Sequence, residues 1–334
     1  MLSGDRYPAI DPRGAVVAIT GGARGIGRAT AVEFAALGAT VCVGDLDTVL
    51  AEAVQGAHGF PLDVTVRESF AAFTDAVTGR FGRIDVLVNN AGVMPLGDFL
   101  EEPDAVGRTT MDVNVQGLVH GLRSVLPGMI ARGRGHVVNV ASMAGKIPLP
   151  GMAVYNASKF AAVGLTAAVR REYAGTGVSV SAVLPSAVRT ELASGVRLGG
   201  ALPTVDAEDV ARAIAGTLRT RRAETAVPRW VGGWDLLSAL TPEPVMSWLR
   251  GLIGDDRALT SLDPAGRAAY TDRVAAQVTG RGGGGGGWKL FKKQTPRAQT
   301  PPPPPPDAPP PPPAPPRPPA AWGGPGRPVL LSHF

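Results

Sequence analysis

Short runs rich in valine and isoleucine alternate with longer segments of helical period along most of this chain. Strands are predicted near residues 15–20, 40–44, 58–62, 84–89, 135–141, 177–184 and 223–228, and helices near 25–37, 47–55, 66–81, 104–131, 153–174 and 206–219. Continuous apolar strands are typical of a parallel sheet buried on both faces, and parallel neighbours need long, usually helical, connections. We therefore predict one α/β domain over residues 14–280, a doubly wound parallel sheet with helices on both faces. Residues 1–13 are predicted as an N-terminal arm, and about 186–280 as a substrate lid or C-terminal extension.

The composition changes abruptly at Arg281, where six glycines and then a proline-dominated run begin. Of the 32 prolines in the chain, 18 lie in residues 281–334, so this tail is predicted to be disordered or polyproline II. The tail carries a net charge of +6, whereas the whole chain carries +5, so residues 1–280 carry a net charge of −1. A nearly neutral domain argues against a nucleic-acid partner. The cationic segment WKLFKK (288–293) and the proline run leave two partners of the tail possible, a membrane surface or a domain that recognises proline-rich segments.

Other features of the composition exclude several classes of protein. No apolar run reaches the roughly 18 residues that a membrane-spanning helix needs, and the first residues lack a signal-peptide core, so we expect a cytoplasmic domain without a membrane contact. Cys42 is the single cysteine and lies in an apolar run, which predicts a packed strand residue. The four histidines are scattered without ligand spacing, so no metal site is predicted.

The first predicted strand, AVVAIT, passes directly into TGGARGIG (Thr20 to Gly27) and then into a helix. Glycines at 21, 25 and 27 allow a tight turn and a close approach to a pyrophosphate, which the N–H groups at the start of the helix stabilise. The next strand ends at Asp45, 18 residues past Gly27, near where an acidic side chain binds an adenosine ribose. Together these features predict a dinucleotide site in a Rossmann fold.

The choice between NAD and NADP depends on two opposing side chains. Asp45 would repel a 2′-phosphate and bind a free 2′-hydroxyl, which favours NAD. Arg24, in the glycine turn, could pair with the extra phosphate of NADP. NAD is preferred here, with NADP possible. Asp45 could instead cap the following helix, a role for which Asp47 is an equal candidate.

Over about residues 14–230 the chain resembles the short-chain dehydrogenase/reductase family. The resemblance is carried by TGGARGIG, by LDV (62–64), by NNAG (89–92), by Asn114 in DVNVQG, by Ser142 in VVNVASMAG and by YNASK (155–159), all in the family's order. It implies a nicotinamide-dependent oxidoreductase acting on alcohols or carbonyl compounds. A non-catalytic dinucleotide-binding regulatory or scaffold protein is the alternative.

The residue types suit proton transfer coupled to hydride transfer. Tyr155 and Lys159, four residues apart, share one helix face, so the ammonium is expected to lower the phenol pKa. Tyr155 is thus the predicted general acid/base, and Ser142 the donor to the substrate oxygen. Lys159 would also hold the nicotinamide ribose, and by the resemblance Asn114 supports a water-linked proton relay.

The resemblance also assigns residues around the cofactor and substrate. The cofactor set comprises Gly21, Arg24, Gly25, Ile26, Gly27, Asp45, Asp63, Val64, Asn90, Ala91, Gly92, Tyr155, Lys159, Pro185, Val188 and Thr190, with Asp63 and Val64 at the adenine and Thr190 at the carboxamide. Ser186 departs from the glycine that the family usually has after Pro185, so the loop there is expected to differ.

The predicted substrate cleft is mostly apolar. Ser142, Met143, Met152 and Tyr155 are the predicted substrate contacts, and Met94, Leu96, Ile147, Leu149 and Leu192 are expected nearby. An apolar alcohol or ketone is the substrate class that such a lining favours. Small residues on the helix of Tyr155, among them Ala161, Ala162 and Gly164, allow close helix packing. Because the corresponding helix pairs across a subunit interface in the family, the resemblance implies a homodimer or homotetramer.

Overall fold

The computed structural model describes residues 7–196, 203–233, 241–242 and 262–279, and its centre is a seven-stranded parallel sheet. The strands are β1 (Val16–Thr20), β2 (Thr40–Asp45), β3 (Ala57–Pro61), β4 (Val86–Asn89), β5 (Gly135–Val140), β6 (Val178–Pro185) and β9 (Glu224–Val227). Their spatial order is β3-β2-β1-β4-β5-β6-β9, so the order reverses between β1 and β4. Ligands of such sheets bind beyond the carboxyl ends of the strands at this reversal. The predicted doubly wound fold is confirmed.

The helices that connect these strands lie close to their predicted positions. They are α1 (Gly25–Ala36), α2 (Thr48–Glu52), α3 (Arg67–Phe81), α4 (Asp104–Met111), α5 (Gly117–Ala131), α6 (Ala153–Glu172) and α7 (Ala207–Thr220). The sequence predicts one helix over 104–131, whereas the structure divides it by a π-helical turn, Asp112–Gln116, between α4 and α5. Such a turn interrupts the regular hydrogen-bond ladder and is frequent at functional sites.

Side chains that alternate along the strands build one core on each face of the sheet. Val17 and Ile19 of β1 pack on the side of α1 and α7, where Phe34 and Ile214 are completely buried. Val16 and Ala18 point to the opposite side, towards α3 and α5. This two-sided burial explains the continuous apolar strands. Cys42 is buried in β2, as predicted, and burial raises its pKa to about 12.

Two elements were not predicted. A small parallel sheet pairs β7 (Ala187–Val188) with β8 (Thr204–Val205), and a further helix, α8, covers Pro264–Thr279. Of the predicted N-terminal arm, Ile10 is 4% exposed and belongs to the core beside α1 and α7. The predicted tail, 281–334, lies outside the described residues.

Two findings concern membranes and metals. None of the helices in the described part of the chain combines the length and apolarity that a bilayer crossing needs. Within the same residues, no three His, Cys, Asp or Glu side chains form a cluster that could hold a metal ion.

A polar cluster lies inside the domain at the amino end of β5. The imidazole of His136 is completely buried, with Nδ1 2.8 Å from the Ser179 hydroxyl and Nε2 2.9 Å from the Thr217 hydroxyl. The Arg221 guanidinium donates to the same Ser179 hydroxyl over 2.9 Å and to the Pro8 carbonyl over 2.8 Å. Burial, followed by the charge of Arg221, lowers the pKa of His136 well below 6.5. The folded protein therefore holds this histidine neutral.

This buried imidazole predicts a loss of stability in mild acid. Because the unfolded chain binds a proton at His136 near pH 6.5 and the folded chain does not, stability falls as the pH drops below that value. Between pH 7.5 and 5.5 the loss from this one site should be about 1.4 kcal/mol. Urea unfolding at the two pH values should show it in the parent protein and not in His136→Gln. His120→Gln, on the partly buried side of α5, is the control, and an equal loss in parent and His136→Gln would contradict the prediction.

Candidate active site

The turn between β1 and α1 packs tightly against the segment that follows β4. Gly21 has a φ of +62°, and a side chain at Gly27 would collide with the Gly21 carbonyl and the Asn90 amide. That amide donates to the carbonyls of Thr20, over 3.1 Å, and of Gly21, over 2.9 Å. The glycines thus allow two chain segments to meet at the reversal point of the sheet.

The acidic residues after β2 have separate positions. Asp45 accepts hydrogen bonds from the backbone N–H of Ala23, over 3.0 Å, and of Asp47, over 3.1 Å. Asp47, and not Asp45, caps α2, because its carboxylate accepts from the Leu50 N–H over 3.1 Å. The capping alternative for Asp45 is therefore wrong, and its carboxylate lies beside the glycine turn.

Arg24 is engaged by two carboxylates across the opening of the cleft. Its guanidinium lies 3.0 Å from an oxygen of Asp47 and 3.8 Å from an oxygen of Glu191. Glu191 also pairs with Arg273 of α8 over 2.9 Å. Arg24, which the sequence suggests as a partner for a 2′-phosphate, is thus already paired with acidic side chains.

One cleft of about 380 Å³ at the carboxyl ends of the strands collects most of the predicted residues. It is lined by the predicted cofactor residues Gly21, Arg24, Gly25, Ile26, Asp45, Asp63, Val64, Asn90, Ala91, Gly92, Tyr155, Lys159, Pro185, Val188 and Thr190, and by the predicted substrate contacts Ser142, Met143 and Met152. Gly27 and Asn114 do not line it, since Gly27 packs against the turn and Asn114 lies behind the cleft wall.

The cleft offers the groups that a nicotinamide dinucleotide needs. The first N–H groups of a helix have no partner within it, and Gly25 and Ile26, in the first turn of α1, line the cleft. Such a helix start binds phosphate groups. The Asp45 carboxylate at the end of β2 and the Lys159 ammonium on α6 are suited to ribose hydroxyls. The donor set therefore fits the predicted cofactor.

Ser142, Tyr155 and Lys159 meet beyond the end of β5. The Ser142 hydroxyl begins a short 3-10 turn, where it accepts from the Ala144 N–H over 3.1 Å, and it hydrogen-bonds to the phenol of Tyr155. Lys159 lies one helical turn after Tyr155, with its Nζ 5.6 Å from the centre of the tyrosine ring. The same Nζ donates to the Val140 carbonyl over 3.0 Å. The structure thus brings the predicted serine, tyrosine and lysine together.

The charge states of this group differ from the sequence-based expectation. The expected lowering of the Tyr155 pKa is wrong for this structure: burial raises it, more than the Ser142 hydrogen bond opposes. Burial also lowers the pKa of Lys159 to about 8. The reason is shared, because the phenolate and the ammonium both lose hydration in the apolar cleft wall. The resting phenol is protonated.

Asn114 ties the cleft wall to the helix of Tyr155. Its amide oxygen accepts from the Val93 N–H over 2.9 Å, and its nitrogen donates to the Val93 carbonyl and to the Ser158 hydroxyl, both over 2.9 Å. Ser158 in turn donates to the carbonyl of Tyr155 over 2.7 Å. The π-helical turn presents this side chain between two elements, and the relay role implied by the resemblance stays a prediction.

Ser186 stands in the loop after β6, at the position where the sequence departs from the family pattern. The Ser186 hydroxyl donates to the Pro203 carbonyl over 2.7 Å, and its N–H donates to the Val227 carbonyl over 2.8 Å. These bonds hold the segment beside the pairing of β7 with β8. Serine therefore fits this position and anchors the loop.

The sequence predicts a substrate lid or extension over about 186–280, but it did not identify α8 or the residues by which this helix lines the cleft. Tyr270, Arg273, Val274 and Gln277 of this helix line the site. They are spaced three, four and seven residues apart, which is the spacing of one helix face. This spacing could have indicated from the sequence that a helix contributes one face to the site. Within the predicted lid or extension over about 186–280, Trp230 is 68% exposed, and Trp234 and Trp248 lie outside the described residues.

Comparisons with known proteins agree with this geometry. The family model for short chain dehydrogenases matches residues 15–199. The chain is 39% identical over 187 residues to D-threitol dehydrogenase of Mycolicibacterium smegmatis, covering 54% of this chain and 72% of the relative. It is 37% identical over 187 residues to the 3-oxoacyl-(acyl-carrier-protein) reductase FabG of Thermotoga maritima, covering 54% and 76%.

Solved structures give the same result for the fold. A short-chain dehydrogenase/reductase of Burkholderia phymatum in complex with NAD has a TM-score of 0.63 at 27% identity, covering 72% of this chain and 96% of that one. A metagenomic short-chain oxidoreductase in complex with NADP has a TM-score of 0.56 at 31% identity, covering 64% and 96%. The chain therefore belongs to the short-chain dehydrogenase family and is an NAD(P)-dependent oxidoreductase.

Proposed function

We propose that this protein interconverts an apolar alcohol and its ketone or aldehyde, with Tyr155 as general acid/base and NAD as the preferred cofactor. The observation that carries the proposal is the hydrogen-bonded pair of Ser142 and Tyr155 above the buried Lys159. Methionine and aliphatic side chains at positions 94, 143, 147, 149 and 152 line the adjoining space. Such a lining favours an apolar substrate.

Oxidation removes a hydride from the carbinol carbon and a proton from its hydroxyl, and reduction adds both. A nicotinamide bound in the cleft supplies or accepts the hydride. Ser142 holds the substrate oxygen by a hydrogen bond, and Tyr155 gives its phenolic proton to that oxygen during reduction or takes it during oxidation. Because burial keeps the phenol protonated, the resting residue is ready to act as the acid. Lys159, whose pKa is about 8, supports the phenolate that remains.

Loss of the phenol hydroxyl should abolish most of the turnover. Tyr155→Phe keeps the ring but has no proton to transfer, so kcat should fall by about 100-fold or more. Nicotinamide absorbance, followed over a panel of secondary alcohols and ketones with NAD and NADP, measures this. Tyr173→Phe, at the far end of α6, is the matched control. Turnover that survives in Tyr155→Phe would refute the acid/base role.

The preference for NAD is argued from charges at the ribose end of the cleft. Related solved structures include complexes with NAD, with NADP and with NADH, so the choice depends on the residues of this chain. The Asp45 carboxylate repels a 2′-phosphate, and the pairing of Arg24 with Asp47 and Glu191 reduces what this guanidinium offers to that phosphate. The opposite outcome, NADP bound through Arg24, is the alternative.

Removing the Asp45 charge tests this argument. Asp45→Asn keeps the shape of the side chain, so the ratio of kcat/KM for NAD to that for NADP should fall about 10-fold, mainly through weaker exclusion of NADP. Steady-state kinetics with both cofactors give the ratio. Asp75→Asn, on the exposed side of α3, should leave it unchanged. A ratio that is also unchanged in Asp45→Asn would assign the choice of cofactor to other residues.

The oligomer is also a proposal, and it concerns α6. Ala162 is buried within the subunit, whereas Phe160 is 44% exposed and the space beside Gly164 is open. These last two residues are four apart and share one face, which permits close packing against a second copy. We expect a homodimer or homotetramer by light scattering at micromolar concentration, and dissociation by Gly164→Glu. Gly79→Glu, on α3, is the control, and a monomeric parent protein would contradict the prediction.

A further inference from the structure

Helix α8 closes the substrate end of the cleft through a buried arginine. Arg267 is 4% exposed, and its guanidinium donates to the carbonyls of Leu192, over 3.1 Å, of Ser194, over 2.8 Å, and of Met94. Met94 follows β4, and the other two follow β6. One side chain thus joins α8 to both loops that border the cleft, and the family match ends at residue 199, well before this helix.

Tyr270, on the same helix, is held one turn further on. Its ring packs under the Arg267 guanidinium, 4.6 Å from the ring centre, and its phenol oxygen accepts the Met94 N–H over 2.7 Å. The side chain is 8% exposed and lines the same cleft as Tyr155. The two phenols are close enough that Tyr270 contributes to the raised pKa of Tyr155.

The hydrogen-bonding capacity of Tyr270 is only half used. A phenol can both accept and donate a hydrogen bond, and the oxygen of Tyr270 already accepts one from the Met94 N–H. Within residues 7–196, 203–233, 241–242 and 262–279 no group accepts the phenol hydrogen. Burial also raises the pKa of this phenol, so it keeps that hydrogen at neutral pH. A buried donor without an acceptor is costly, which favours a ligand that supplies one.

We propose that Tyr270 donates a hydrogen bond to a second oxygen of the substrate, so that the enzyme favours carbonyl compounds or alcohols with a further oxygen near the reacting carbon. This inference rests on the proposed function, because it takes Tyr155 and Ser142 as the pair that holds the reacting oxygen. The remainder of the substrate contacts the apolar wall formed by Met94, Met152 and Leu192.

A matched pair of ketones tests the inference. Reduction of 2,3-hexanedione and of 2-hexanone by the parent enzyme and by Tyr270→Phe is followed by nicotinamide absorbance. In Tyr270→Phe we expect kcat/KM for the dione to fall about 10-fold further than kcat/KM for 2-hexanone. Tyr173→Phe is the control for a remote hydroxyl and should change neither value.

The comparison between substrates separates a direct contact from a structural one. Loss of the Met94 bond alone would impair both ketones equally, and that outcome would overturn the proposal, as would no change for either. A parent enzyme that does not favour the dione over 2-hexanone also overturns it, while leaving hydride transfer intact. Failure of the proposed function is distinguishable, because turnover would then persist in Tyr155→Phe or be absent with every alcohol and carbonyl compound of the panel.

Discussion

The hydrogen bonds between the ends of β1 and β4 hold the whole cleft together. The Thr20 hydroxyl accepts the N–H groups of Asn90, over 3.0 Å, and of Ala91, over 3.1 Å, while the Asn90 amide donates back to the glycine turn. These bonds lie at the reversal point, where helices depart to opposite faces of the sheet and leave an opening. The glycine turn, the start of α1 and the residues after β4 therefore have fixed positions relative to one another.

A second buried network connects this opening to the residues proposed for catalysis. Asn114 joins Val93, after β4, to Ser158 on α6, and Ser158 bonds the backbone of Tyr155. Lys159 is fastened to the Val140 carbonyl at the end of β5. The position of the phenol is thus determined by three elements, and a rigid support of this kind is what proton transfer at a defined atom requires. Desolvation accompanies this rigidity, and it explains why the tyrosine pKa moves upward and the lysine pKa downward.

The third wall of the cleft is built from a part of the chain remote in sequence. Arg267 gathers the Leu192 and Met94 carbonyls around its guanidinium, and Arg273 meets Glu191 near Arg24. One helix therefore contacts both the substrate end and the cofactor end. Both contacts come from side chains that lie outside the family match, Arg267 and Arg273.

The parallel sheet, its seven strands and the positions of α1 to α7 could be predicted from the sequence, because burial on both faces leaves continuous apolar runs and amphipathic periods that can be read locally. The sequence also identified Tyr155, Lys159 and the glycine turn, since their spacing follows from one helix face and one tight turn, and the family resemblance added Ser142. The three-dimensional structure was needed to show that Asp47 and not Asp45 caps α2, that Arg24 pairs with Glu191, and that the Tyr155 pKa is raised. It alone also showed that Tyr270 faces the cleft. Each of these depends on hydration and on contacts between residues up to 176 positions apart, such as Met94 with Tyr270, and no local pattern records such distances.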